Sequence, residues 1–203
     1  MLLSIFNQQP AEHSMGSTAR KAVRNADRVM GLEQAMFDWR SRHVILVLTL
    51  TYKPEWQHEI TLDIIRQHRD QLLNNRRGNA LLRGINGYVW KIEEGHDAGG
   101  LHLHVVIFYN GNHRADIHIA RSIGDYWVNV ITHDKGAYWN SNAQKEHHAR
   151  YGHGIGTGQI DRHDHDRREA LRQNLLYLAK NDQHVTTRMN PHYRTFGTSQ
   201  FPA

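Results

Sequence analysis

Cysteine is absent from the 203-residue chain, so the sequence excludes disulfide bonds and thiolate metal sites. Only 4 prolines occur, and no apolar run reaches the length that a membrane-spanning helix requires. The short apolar segment at residues 1–6 lacks the basic and extended apolar regions of a secretory signal. These absences predict a soluble protein that is compatible with a reducing cytoplasm and has no membrane partner.

Acidic residues are fewer than basic ones. The chain has 25 Lys and Arg against 20 Asp and Glu, a formal net charge of +5. This excess favours a polyanion such as nucleic acid as a partner, because lysine and arginine displace counterions from phosphates. An ordinary solvated surface would carry the same charge, so the excess alone does not identify the partner.

The apolar pattern predicts an α+β fold in which helices pack on a central antiparallel sheet. A nearly continuous apolar run at 44–52 is typical of a central strand covered on both faces, and the segments 88–94 and 100–108 predict a hairpin. The length suits one domain over 42–203, preceded by an extension over 1–41.

Four helical segments and a further strand complete the predicted order. The helices are one or two from 17 or 18 to about 40, one at about 59–75, one from an Asp116 cap to about 132 that buries Trp127, Val130 and Ile131, and one at about 166–181. A short strand is predicted at 158–161, after a long irregular connection over 134–158 that contains Tyr138 and Trp139.

Two histidines mark the hairpin as a candidate metal site. His102 and His104 alternate with core residues in the strand 100–108, so both imidazoles lie on one face of the predicted sheet. Since the chain contains 17 His, such triplets also arise by chance. The position of this pair inside an apolar strand favours a site, because unpartnered polar groups are costly to bury.

An acidic residue on the preceding strand would complete the ligand set. If Trp90 and Ile92 face the core, period-two alternation places Lys91 and Glu93 on the histidine face. Glu94 is the alternative ligand if the strand has the opposite phase. A mixed set of nitrogen and oxygen ligands suits magnesium, manganese or zinc.

A candidate nucleophile lies in the last predicted helix. Tyr177 and Lys180 are three residues apart and would be neighbours on one helical face. An adjacent ammonium favours the phenolate, which is otherwise a weak nucleophile at neutral pH. The spacing is common on helices, so this pair alone is weak support for catalysis.

A second histidine triplet suggests a rival metal site. His163 and His165, with Asp164 and Asp166, could serve a metal-dependent hydrolase. They lie in a polar, turn-like segment with no core strand to position them. A solvated loop or a charge cluster at a helix N-terminus explains these four residues better.

Taken in order, these motifs resemble those of the HUH endonuclease superfamily, named for its His-hydrophobe-His motif. The resemblance covers about 44–197 and is closest to the inovirus-type replication proteins of filamentous phages and prophages, the YagK/YfjJ-like branch. The residues that carry it are Leu48-Thr49-Leu50-Thr51, Trp90-Lys91-Ile92-Glu93, His102-Leu103-His104, Tyr177, Lys180 and Arg194-Thr195-Phe196-Gly197-Thr198.

The resemblance implies a ferredoxin/RRM-like nickase that initiates rolling-circle replication. Magnesium or manganese would be held by His102, His104 and an acidic residue, for which the family spacing selects Glu93 and related viral initiators suggest Glu94. Tyr177 would form a 5′-phosphotyrosine, with Lys180 stabilising charge beside it.

The implied partners are single-stranded DNA at an origin hairpin and a helicase and polymerase of the host, in a bacterial cytoplasm. Residues one helical turn from Tyr177 are Gln173 and Asn181, so the chain resembles the one-tyrosine members. The alternative is a DNA-binding regulator of the same fold that does not cut.

Overall fold

The computed structural model describes residues 16–95, 100–145, 156–180 and 193–202. Its helices are α1 (Ser17–Trp39), α2 (Leu62–Asn74), α3 (Asp116–Tyr126) and α4 (His165–Ala179). Its strands are β1 (Arg42–Tyr52), β2 (Ile85–Glu94), β3 (Leu101–Asn110), β4 (Gly136–Asn140), β5 (Gly158–Asp161) and β6 (Phe196–Thr198). The predicted α+β class with a central antiparallel sheet is confirmed.

The six strands form one antiparallel sheet, in which five follow the order β4-β1-β3-β2-β6 and β5 pairs with β1. One edge of β1 pairs with β3, and the other edge pairs with β5 near its start and β4 near its end. The sheet therefore surrounds β1 on both edges. The nearly continuous apolar sequence of β1 follows from the burial of both faces of this strand.

Each face of the sheet has its own core. On one face, Leu46 and Leu103 pack with residues of α2 and α3. On the other, Ile45 and Val106 pack with α1 and α4, in a cluster that includes Leu32. The face that packs against α1 and α4 also carries the two histidines of β3, because residues 102, 104 and 106 alternate with the other core.

The α1 helix is continuous and forms part of this second core. Phe37, near its end, is fully buried. Farther back along the helix, Glu33 is fully buried and accepts hydrogen bonds from Arg168 at 2.7 Å and Arg172 at 3.1 Å, both on α4. The first long helix thus holds the last one against the sheet.

The predicted irregular connection over 134–158 is wrong in part, because residues Gly136–Asn140 form the edge strand β4. The five residues of β4 show no alternation of apolar and polar side chains. In the structure Gly136 is buried, whereas Trp139 is exposed. Pairing with β1 makes the strand, and that tertiary contact is invisible in local sequence.

The third helix also differs from its prediction. Its N-cap is Ala115, whereas Asp116 is the first helical residue and accepts a hydrogen bond from Asn142. After Tyr126 the chain widens into a π-helical turn over Trp127–Ile131. That turn changes the phase of the buried face, so Val130 is 43% exposed instead of buried.

None of the helices in the described segments is long and apolar enough to cross a membrane.

Candidate functional site

The candidate site lies on β3, where the side chains of one face change from polar to apolar. On one face of this strand His102 and His104 are followed by Val106 and Phe108, which lie beneath α1 and α4. The two histidines therefore lie where the helical cover ends. In the pairing with β2, His102 is opposite Glu93 and His104 is opposite Lys91, so all four side chains share this face.

Glu93 and the two histidines bring three potential ligand atoms together. The Glu93 carboxylate lies 2.9 Å from Nε2 of His104 and 3.8 Å from Nε2 of His102. All three potential ligand atoms lie within 4.8 Å of one another. One carboxylate oxygen and two imidazole nitrogens on a rigid hairpin could hold a divalent metal ion.

Hydrogen bonds at the other ring nitrogens orient both imidazoles. Nδ1 of His102 lies 3.2 Å from the carbonyl oxygen of Gly100, which can only accept, so this nitrogen carries the proton and leaves Nε2 as a ligand. Gly100 is left-handed, with φ of 57°, at the start of the strand. Nδ1 of His104 lies 3.1 Å from the hydroxyl of Thr49 on β1. Such outer contacts fix the orientation of metal-binding histidines.

The Glu93 carboxyl is held in its charged form. It is only 3% exposed, and burial by itself would favour the neutral acid. The approach of His102, His104 and Lys91 outweighs burial and holds the pKa of this carboxyl well below its usual range. The site therefore presents a carboxylate to a cation throughout the physiological pH range.

Of the two candidate acids, the structure places Glu93 with the histidines. Trp90 and Ile92 lie in the core on the opposite face, which is the strand phase that the alternation predicts. Glu94 is the next residue of the strand, so it lies on the same face as Trp90 and Ile92. It is half-buried and does not belong to the group of close ligand atoms.

Lys91 is a part of the site to which the sequence assigned no role. Its Nζ lies 2.6 Å from Oε1 of Glu93 and donates a 2.8 Å hydrogen bond to the carbonyl oxygen of Lys180. The side chain is only 9% exposed. Alternation alone placed Lys91 on this face, but nothing in the sequence could show that it connects β2 to the end of α4.

Tyr177 lies near the C-terminal end of α4, with 57% of its surface exposed. It lines a cavity of about 330 Å³ that His104 and Thr49 also line, so the tyrosine and a metal-binding candidate face the same space. The large exposure leaves the phenol accessible to a ligand in this cavity.

Lys180 lies at the C-terminal end of α4. The helix ends at Ala179, and Lys180 is an exposed C-cap residue with extended backbone angles, φ −60° and ψ 145°. The backbone N–H of Lys180 still donates to the carbonyls of Leu176 at 3.2 Å and Tyr177 at 3.3 Å, so Lys180 follows Tyr177 by one helical turn, and the interaction of their side chains stays a prediction. The carbonyl of Lys180 contacts the site by accepting the hydrogen bond from Lys91.

The rival cluster remains separate from this site. Asp164 caps α4 by accepting a hydrogen bond from the backbone N–H of Arg167 at 3.2 Å. His163, His165 and Asp166 are exposed around that helix start. Among the described residues, the group of at least three close side chains that could hold a metal ion consists of Glu93, His102 and His104.

Comparison with known proteins gives one family match. The family model described as the YagK/YfjJ C-terminal domain matches residues 55–199. No curated protein and no solved structure matches the chain.

Proposed function

The chain belongs to the YagK/YfjJ C-terminal domain family, and we propose that it is an HUH-type initiator of rolling-circle replication. It nicks and rejoins single-stranded DNA at an origin through a 5′-phosphotyrosine. The observation that carries the proposal is the Glu93, His102 and His104 group, because His104 of this group lines the same cavity as Tyr177.

The ligand chemistry supports magnesium or manganese as the cofactor. Two imidazole nitrogens and one carboxylate suit a borderline to hard divalent ion, and cysteine is absent from the chain. When bound to Glu93, His102 and His104, such an ion would polarise a non-bridging oxygen of the scissile phosphate. Lys91 contacts Oε1 of Glu93, so Oε2, the oxygen nearest both histidines, is the one that would serve as the ligand.

The bond changes are assigned to Tyr177. Its phenolic oxygen forms a bond to phosphorus and gives up its proton to solvent, while the bond from phosphorus to the 3′ oxygen breaks and that oxygen takes up a proton. The products are a 5′-phosphotyrosine and a free 3′ hydroxyl. Because the number of phosphodiester bonds is conserved, the reverse reaction rejoins the strand.

The nicked strand would provide the primer for replication, and the bacterial host would supply the other replication enzymes. The 203 residues contain no GxxxxGK[ST] phosphate-binding loop. A host helicase would unwind the duplex, and a host polymerase would extend the 3′ hydroxyl. The excess of basic residues supports DNA as the ligand.

The test is covalent capture of DNA by Tyr177. Wild-type protein, incubated with single-stranded DNA of its own replicon and manganese, should give a protein–DNA band on a denaturing gel. Tyr177→Phe should fold and bind the DNA but give no band, because only the attacking oxygen is lost. Tyr138→Phe is the matched control, since the Tyr138 hydroxyl bonds to Asp125 instead of lining the cavity.

The outcomes separate the proposal from its alternative. A chelator should abolish the wild-type band, and manganese should restore it. An equal band from Tyr177→Phe would assign the nucleophile to another residue. Specific DNA binding by the wild type without any band would identify a non-cutting regulator of the same fold.

A further inference from the structure

We propose that the cavity beside the metal site binds one unpaired nucleobase, with Trp139 as the surface on which the base stacks. The inference rests on the proposed function for the identity of the ligand as single-stranded DNA. It adds a binding site for the base next to the reacting phosphate, formed by the edge strand β4 and the end of α4.

The position of Trp139 relative to the metal site comes from the strand register. Trp139 on β4 pairs with Thr49 on β1, and Thr49 pairs with His104 on β3. Side chains paired across antiparallel strands share a face, so the indole and the imidazole lie on the same surface. Two strand spacings place their backbones roughly 10 Å apart. That separation suits a phosphate at the metal site and its adjoining base at Trp139.

The exposure of Trp139 is unusual for its size. The indole is 56% exposed although the side chain borders a cavity with mostly apolar walls, which include Val47 and Leu178. The cavity volume of about 330 Å³ lies at the small end of the range for small-molecule sites, which suits a single base. Stacking of a base would cover the indole face and bury the apolar walls.

The charges around the cavity favour a neutral base over a phosphate. Lys145 is a cation on its wall, but Nζ of Lys145 is paired with Asp116 at 2.7 Å. The pair cancels most of the charge that a bound anion would need. Thr157 and Asn174 also line the cavity, and polar residues of this kind can contact the edge of a base.

Hydrogen bonds hold this side of the cavity in place. The buried amide of Asn142 donates to the carbonyl of Ile45 and to the carboxylate of Asp116, both at 2.8 Å, and accepts from the backbone N–H of Val47 at 2.8 Å. These bonds fix the turn after β4 to the central strand. The stacking surface is therefore formed before the ligand binds, which lowers the entropic cost of binding.

Binding without cutting tests the inference directly. In the presence of a chelator, the affinity of a deoxythymidine 12-mer is compared with that of an abasic 12-mer of equal length and charge. The thymidine strand should bind the wild type roughly tenfold more tightly, the usual effect of one stacked base. Trp139→Ala should lose this difference, and Trp139→Phe should retain most of it.

Trp39 provides the matched control, since it is also exposed, at 42%, but lies at the end of α1, outside the cavity. Trp39→Ala should bind both strands as the wild type does. Equal binding of the thymidine and abasic strands by the wild type, or an unchanged preference in Trp139→Ala, would overturn the base site. Loss of the preference in Trp39→Ala as well as in Trp139→Ala would also overturn it, because the effect would not be local to the cavity.

The same variants distinguish this inference from the proposed function. A preference that depends on Trp139, without any covalent band, would support the base site and reject the nicking reaction. A covalent band with no contribution from Trp139 would have the reverse meaning.

Discussion

At the scale of single residues, the choice between two adjacent glutamates depends on strand phase. Glu93 and Glu94 differ by one position, and one position in a strand reverses the face. Sequence alternation favours Glu93 if Trp90 and Ile92 lie in the core, and both do. The local pattern left Glu94 open, and the strand register, which pairs Glu93 with His102, places Glu93 beside the histidines.

The consequence for metal binding can be measured residue by residue. Glu93→Gln should weaken manganese binding at least roughly tenfold in calorimetry, since loss of a direct ligand costs no less than loss of a supporting contact. Glu94→Gln is the matched control and should bind within about threefold of the wild type, because Glu94 lies outside the ligand group. A larger loss in Glu94→Gln than in Glu93→Gln would reject Glu93 as the ligand.

At the scale of elements, the sequence predicted strands and helices where burial is periodic and missed them where a partner defines them. The apolar run of β1 and the histidine strand β3 are recognisable without a structure. The edge strand β4 is defined by pairing with β1, so its local sequence carries little signal. For the same reason no role for Trp139 is predicted, although the residue lies in the connection expected over 134–158.

The end of α4 shows a second limit of prediction at this scale. Its helical pattern continued to 181, but the helix ends at Ala179, and the carbonyl of Lys180 bonds to Lys91 on β2. A contact between elements 89 residues apart has no local signature. This bond joins the strand that carries Glu93 to the helix that carries Tyr177.

We therefore expect Lys91 to position the tyrosine helix relative to the metal ligands. Lys91→Met keeps the length of the side chain but removes its hydrogen bond, so amide exchange in the last turn of α4 should rise and the yield of covalent adduct should fall roughly tenfold. Manganese should still bind, because the three ligands remain. Lys180→Ala retains the carbonyl and should keep the wild-type exchange. Unchanged exchange in Lys91→Met would show that the bond does not hold the helix end.

At the scale of the whole molecule, the core extends beyond the segment that defines the family. The family match begins at residue 55, after α1 and the central strand β1. Nevertheless α1 packs with α4 in one buried cluster, on the face of the sheet that carries His102 and His104. The position of Tyr177 thus depends on a helix at the other end of the chain.

Glu33 tests whether this cluster unfolds as one unit. It is fully buried and paired with Arg168, whose side chain is 8% exposed. Glu33→Gln should lower the free energy of unfolding by about 3 kcal/mol, because a buried guanidinium loses its countercharge. Asp161→Asn removes the same charge from the pair with Arg42, whose side chains are 43% and 44% exposed, and should cost at most about 1 kcal/mol.

Denaturant unfolding followed by both tryptophan fluorescence and circular dichroism measures the two variants. Because α1, the sheet and α4 share buried contacts, the two signals should coincide in a single transition that shifts as a whole in Glu33→Gln. An early loss of helical signal, with the fluorescence transition unmoved, would mean that α1 unfolds by itself. In that case α1 could not be the element that holds α4, with Tyr177, against the sheet face that carries His102 and His104.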